Sequence, residues 1–238
     1  MPNWSFNKNL FYSKNKEIII DLYYKINKWT IDPDIKPDRD CWDGDPTWIG
    51  NLLIQSGLDK NEVCAGKYGN CRGTVDEVDG VDIEEVDGEK YYYLVCYTRT
   101  AWCQRSLVWI ELLKHLYGDN YKEIGYSWTG EEDGCNYYEY YDENQMMLKL
   151  LGDFAYGEYY FDSYVGSESK YYEAVPEYSD FMAKDDVILI LQDILQKRVP
   201  ETDIILAELT VNELLEEEDP DFYVHITKVC KSDTVAVN

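Results

Sequence analysis

The 238-residue sequence predicts an α+β fold with an antiparallel sheet, followed by a C-terminal α/β extension, and three observations predict it. The segments "WSFNKNLFYS" and "KYYYLVCYTRTAW" carry the alternation and the aromatic and β-branched content of strands. Each runs into a stretch whose apolar residues recur at helical spacing, which gives two β-α openings. Between them, "TVDEVDGVDIEEVDGEK" sets two Asp-Gly turn signals among alternating valines and acids, the pattern of a hairpin with one wet face.

Taken in order, the first strand covers 4–13, and Ser13 is placed to cap a helix with Ile18, Ile19, Leu22, Tyr23 and Ile26 on its apolar face. Prolines 33, 37 and 46 with acids between them make a loop, and a short helix is expected around Trp48 to Gln55. After the strand at 90–102, "QRSLVWIELLKHLYG" is apolar except for a narrow stripe of Glu111, Lys114 and His115, and Gly118 stops it. "YKEIGYSW" returns as a strand and closes a second β-α-β unit; Gly134 turns the chain into another, "CNYYEYYDE". Residues 152–181 suggest one or two further strands with a long loop. A helix then begins at Asp185 and Asp186 with Val187, Ile188, Leu191, Ile194 and Leu195 facing inward. Residues 201–209 carry no clear pattern, Thr210 with Glu213 reads as a capping box, and "FYVHITKV" reads as a last strand. The expected organisation is a domain over 1–145, with an acidic hairpin inserted at about 32–89, and an acidic extension over 146–238 packed on the same core.

Charge is the strongest compositional signal. Forty-seven acidic against 22 basic side chains give a formal net charge of -25, which argues against direct binding to a nucleic-acid backbone. Residues 131–222 hold 25 of the acids and only 5 bases, so the negative field belongs to the second half. No apolar run approaches the ~18–20 residues that span a bilayer, and the start shows no secretory pattern, so the expectation is a cytoplasmic protein without a membrane partner. Seven cysteines, an odd number without a C-x-x-C pair, are expected to be mostly buried thiols.

The sequence announces no catalytic chemistry. Phosphate-loop, dinucleotide, zinc-protease and nucleophile-elbow motifs are absent, and only His115 and His225 could serve a histidine-dependent device, each on a wet face by periodicity. Asp38, Asp40, Asp43 and Asp45, or Glu131, Glu132 and Asp133, offer oxygen ligands for a hard cation, but neither fits the calcium-loop spacing. No cofactor, metal or catalytic residue is therefore expected.

The stretch "EEDGCNYYEYYDE" alternates acids with tyrosines, the residues that supply charge complementarity and rigid contact area at interfaces. On a strand, Tyr138, Tyr140 and Asp142 share one side and Tyr137, Glu139, Tyr141 and Glu143 the other, with the Glu139 and Glu143 side expected in solvent. The expected contact set is Glu131, Glu132, Asp133, Tyr137, Glu139, Tyr141, Asp142 and Glu143, joined by Glu216, Glu217, Glu218 and Asp219.

The opening "MPNWSFNKNL", the strand-ending "TAW" before a helix, and "IGYSWTGEEDG", in that order, resemble the YubB family of phage and plasmid proteins over roughly residues 1–30 and 90–145. Cys103, Gln104 and Arg105 stand where that family has a small residue and two prolines, and Ser5 stands where it has cysteine. The resemblance implies a ferredoxin-like β-α-β core and an origin on a mobile element; it lends no activity. With the acidity, it leads to the expectation of a non-enzymatic inhibitor that occupies a basic, nucleic-acid-binding host defence protein, such as a CRISPR effector or restriction enzyme. The alternatives are a metal-dependent enzyme built on a carboxylate cluster, or an accessory protein of a mobile element.

Overall fold

The structure, a computed structural model, describes residues 4–31, 45–101, 103–132, 137–142, 144–152, 159–165, 170, 180–216 and 223–232. The chain divides into two compact units, Met1–Cys135 with Glu139–Asp153 and Lys231–Asn238, and Asn136–Tyr138 with Phe154–Cys230. Both are mixed α/β with antiparallel strand pairing.

Unit 1 is built around β1 (Trp4–Ser13), which pairs on one side with β4 (Glu89–Ala101) and on the other with β5 (Gly125–Glu132). Beyond β4 lie β2 (Gly73–Val78) and β3 (Asp82–Val86), end to end along its outer side; beyond β5 lies β6 (Tyr137–Tyr141). The order is thus β2-β4-β1-β5-β6. Between β1 and β2 run α1 (Lys16–Ile31), α2 (Ile49–Gln55) and α3 (Lys60–Cys64), and α4 (Ser106–Tyr117) connects β4 to β5. The short α5 (Met146–Leu151) follows β6.

Strand alternation explains how this sheet is covered. In β1, Ser5, Asn7, Asn9, Phe11 and Ser13 are buried, while Trp4 and Phe6 are exposed. Phe11 stacks on Tyr126 with centroids 5.0 Å apart and meets Trp109 of α4 edge-on at 5.2 Å. Ile18, Ile19, Leu22 and Ile26 of α1, Leu52 and Leu53 of α2, and Val108, Leu112 and Leu113 of α4 complete this core. Leu10 and Val95 are buried on the opposite face, where Leu151 of α5 lies near Val95.

Several expectations shift in detail. Asn15, not Ser13, caps α1: its Oδ1 accepts the Glu17 N–H at 3.2 Å, and Ser13 Oγ accepts the Asn15 N–H at 3.1 Å. Only the second Asp-Gly makes a hairpin: Asp87 and Gly88 both have positive φ, as a two-residue type I′ loop requires, between the paired Val86 and Glu89. The first, Asp79-Gly80, interrupts an edge, because β2 and β3 each pair with β4 and not with each other. The acidic segment at 73–89 is therefore part of the main sheet. Residues 118–123 form a 3-10 turn, so the returning strand begins only at Gly125. Residues 32–44, the greater part of the expected proline-rich loop, and the Gly134 turn lie outside the described residues.

Unit 2 places β7 (Tyr159–Tyr164) between β8 (Asp180–Met182) and β9 (Tyr223–Lys231). Helices α6 (Lys184–Leu195) and α7 (Ile204–Glu216) bury Val187, Leu191, Ile194, Ile204, Val211 and Leu215 with Phe161, Val224 and Ile226 of the sheet. The Thr210 capping box is overturned: Thr210 lies inside α7, its hydroxyl donating to the Leu206 carbonyl at 2.8 Å. The helix instead starts at Ile204, where the buried side chains Ile204 and Ala207 make starting there worthwhile.

Phe11→Ala should cost ~3–5 kcal/mol in urea unfolding, because it empties the centre of the unit 1 core. Phe6→Ala, on the exposed face of the same strand, should cost under ~1 kcal/mol. Equal losses would contradict the assignment of the two faces.

Candidate functional site

The described residues among those singled out in the sequence differ in burial and belong to two units. Asp142 is 2% exposed and turned inward. Its carboxylate accepts from Ser127 Oγ at 2.8 Å and from the Met146 and Met147 backbone N–H groups at 2.9 and 3.0 Å, so it fixes the start of α5 to β5. That removes Asp142 from any contact surface. Tyr141 is half-buried and packs against the unit 1 core, and Glu139 beside it is half-buried, so that side of β6 is not a free wet face. Tyr138 is buried and stacks on Tyr160 within unit 2, with centroids 5.7 Å apart. Glu131 is half-exposed at the end of β5, and Glu216 is exposed at the end of α7 in the other unit. Asp133, Glu143, Glu217, Glu218 and Asp219, and the side chains of Glu132 and Tyr137, lie outside the described residues.

The acidic surface that the structure does define is the outer edge of the unit 1 sheet. Asp76, Glu77, Asp79, Asp82, Glu84, Glu85, Asp87 and Glu89 are all exposed there. Asp76 pairs with Arg99 at 2.6 Å, Asp87 with Lys149 at 3.2 Å and Glu89 with Lys14 at 3.5 Å. Glu77, Asp79, Asp82, Glu84 and Glu85 have no ion-pair partner among the described residues. The sequence signal was visible as the wet side of a hairpin, but its position depended on β2 and β3 both joining β4, a long-range pairing that no local pattern encodes. A charged edge also keeps an open sheet from pairing with a second sheet, which is the ordinary reason for such residues.

Both histidines make contacts within the fold. His115 is exposed, and its Nε2 lies 3.0 Å from the Ser56 carbonyl oxygen, tying α4 to the end of α2. In unit 2, His225 Nδ1 lies 3.3 Å from Glu208 Oε1, and His225 Nε2 lies 3.3 Å from Thr227 Oγ1. Hydroxyl, imidazole and carboxylate follow the order of an activated nucleophile. Thr227, however, is only 5% exposed, and Glu208 6%, so this hydroxyl is not presented to a substrate carbonyl. The three groups satisfy one another within the fold.

The cysteines follow the same pattern. Burial pushes the Cys71 thiol up to about 12, and burial with Asp76 and Asp79 nearby pushes Cys96 higher still, so neither is a nucleophile near neutral pH. Cys230 is an exposed thiol, and Cys64 is disulfide-bonded, a departure from the expected free thiols. Among the described residues no group of three or more His, Cys, Asp or Glu is placed to hold a metal ion. Asp45, from the first acidic cluster, accepts from Thr47 N–H and Oγ at 2.8 and 2.7 Å; Asp38, Asp40 and Asp43 lie outside the described residues. No helix among the described residues is long and apolar enough to cross a membrane.

Two measurements check these placements. Asp142→Ala should destabilise the protein by ~2–4 kcal/mol, because it strands a buried hydroxyl and two backbone donors. A loss below ~0.5 kcal/mol would return Asp142 to the surface. Alkylation at about pH 8 should label Cys230 in the native protein and Cys71 and Cys96 only after unfolding. Because burial raises these thiols, the stability they carry is intact below the unfolded value near ~8.5. It falls as pH rises from there toward the folded Cys71 value of about 12. Urea midpoints should therefore decline through that window. Comparison with protein-family models, with curated proteins and with solved structures finds no match for this chain.

Proposed function

We propose that the chain is a non-enzymatic acidic protein of a phage or other mobile element that binds and inhibits a basic, nucleic-acid-binding host defence protein. Its unit 1 is read as a ferredoxin-like core. The strand order β2-β4-β1-β5, with α1 following β1 and α4 following β4, supports that reading, since it is the arrangement of two interleaved β-α-β units. The sequence resemblance to the YubB family supports the origin.

The observation that carries the functional reading is the run of unpaired carboxylates along the unit 1 edge. Along one face of a strand, side chains recur every ~6.6 Å, because successive residues point to opposite faces. On β3, Asp82 and Glu84 therefore share one face and Glu85 stands on the other, and with Glu77 and Asp79 before them they offer a row of negative charge along the edge that a cationic surface can meet. The net charge of -25 adds a long-range field that speeds the encounter with a cationic partner.

The test is capture of basic nucleic-acid-binding proteins from a host lysate by the purified chain. Binding is expected at ~0.1 M salt and lost near ~1 M, where the screening length falls from ~10 Å to ~3 Å. Glu84→Lys with Glu85→Lys, on the exposed edge, should reduce capture at low salt without lowering the thermal midpoint. Capture that persists unchanged at high salt, or that ignores the charge reversal, would overturn the proposal.

A further inference from the structure

Helix α7 carries large apolar residues on two sides, and among the described residues of unit 2 only one of these sides joins the core cluster. Ile204, Ala207, Val211 and Leu215 point into the unit 2 core. Ile205, Leu206 and Leu209 stand 53%, 64% and 56% exposed. At ~100° per residue these three fall within one ~100° arc of the helix, and Glu213 and Glu216 fall in the same arc further along. Both glutamates are exposed. The outer face of α7 is therefore apolar over its first half and acidic over its second.

The neighbouring helix repeats the theme. On α6, Leu189 is 57% exposed, with Asp185, Asp186 and Asp193 exposed on the same side. Across the two helices there are six carboxylates and a single base, Lys184. Isolated exposed leucines need no explanation, but a helical stripe of three, none of them needed by the core, marks a surface selected for contact. A helix that is apolar all round is normally buried all round.

We propose that the outer face of α7 docks an amphipathic, lysine- or arginine-rich helix of a protein partner, with Ile205, Leu206 and Leu209 taking its apolar residues and Glu213 and Glu216 its cations. This rests on the reading above that the partner is basic. Charge complementarity selects the occupant: a second copy would bring like acids together on a chain already at -25, and an anionic lipid surface would meet carboxylates where interfacial helices carry lysine and arginine. Recognition of an apolar-and-charged helix by such a stripe follows the helix-in-groove mode, in which apolar anchors supply affinity and flanking charges set orientation.

The experiment uses the full chain and two fluorescent probes, a leucine–lysine amphipathic helical peptide and an oligolysine of the same charge, titrated by anisotropy. The wild-type protein is expected to bind the amphipathic peptide at least about tenfold more tightly than oligolysine, a difference of ~1.4 kcal/mol. The double variant Leu206→Gln, Leu209→Gln, which keeps good helix formers at exposed positions, should lose that advantage while its oligolysine affinity and thermal midpoint stay unchanged. An amphipathic peptide bound equally by wild type and variant would overturn the α7 assignment and leave the basic-partner reading standing. Failure of both probes to bind would overturn both readings. Sedimentation of the wild type as a dimer that the same substitutions dissociate would assign the stripe to self-association and overturn the proposal.

Discussion

β1 is hydrogen-bonded on both sides, and the two ladders must agree on where each of its residues sits. Asn7 lies opposite Thr98 on β4 and Gly130 on β5, Asn9 opposite Cys96 and Trp128, and Phe11 opposite Leu94 and Tyr126. A slip of one residue would turn Phe11 out of the core and Phe6 into it, and would strand two buried amides. In the native register Asn7 Nδ2 donates to Thr100 Oγ1 at 2.8 Å and to the Thr98 carbonyl at 3.2 Å, and Asn9 Nδ2 donates to the Cys96 carbonyl at 3.1 Å. Gln104, just before α4, donates to Asn9 Oδ1, which also accepts from Tyr126 Oη at 2.8 Å. These bonds leave the amides satisfied only in this alignment, so the polar half of the β1 face specifies the register while the apolar half, around Phe11, supplies the burial.

That division explains what the sequence revealed. The first strand was legible residue for residue because its alternation and its turn into α1 are local. Helix α4 was legible for the same reason, down to its stop at Gly118, which sits at φ 54°. The second Asp-Gly was a true hairpin and the first was not, although the two dipeptides are identical; what differs is that β2 and β3 both found β4, a choice made by distant residues. The start of α7 was missed because Thr210 and Glu213 form a capping pattern that also occurs inside helices, and burial of Ile204 and Ala207 decided the matter.

The candidate surface was legible in kind and not in place. Alternating acids and tyrosines at 137–142 suggested an interface, but Tyr138, Tyr141 and Asp142 are spent on packing and on fixing α5. Tyrosine in a strand serves a half-buried wall as readily as a partner, and sequence alone does not separate the two. The exposed carboxylates are found instead along β2 and β3 in one unit and along the outer faces of α6 and α7 in the other. In the first set Glu77, Asp79, Asp82, Glu84 and Glu85 have no ion-pair partner among the described residues, which leaves their charge to act on something outside the chain.

The central claim is that this charge competes with nucleic acid for a basic protein. Displacement of a labelled DNA duplex from the captured host protein, followed by anisotropy as the acidic chain is added at several salt concentrations, tests it most directly. The account predicts complete, competitive release at low salt, with direct binding of the acidic chain to the host protein weakening steeply as salt rises, as binding of the duplex does. A ternary complex in which the duplex stays bound, or direct binding of the acidic chain that is indifferent to salt, would contradict it.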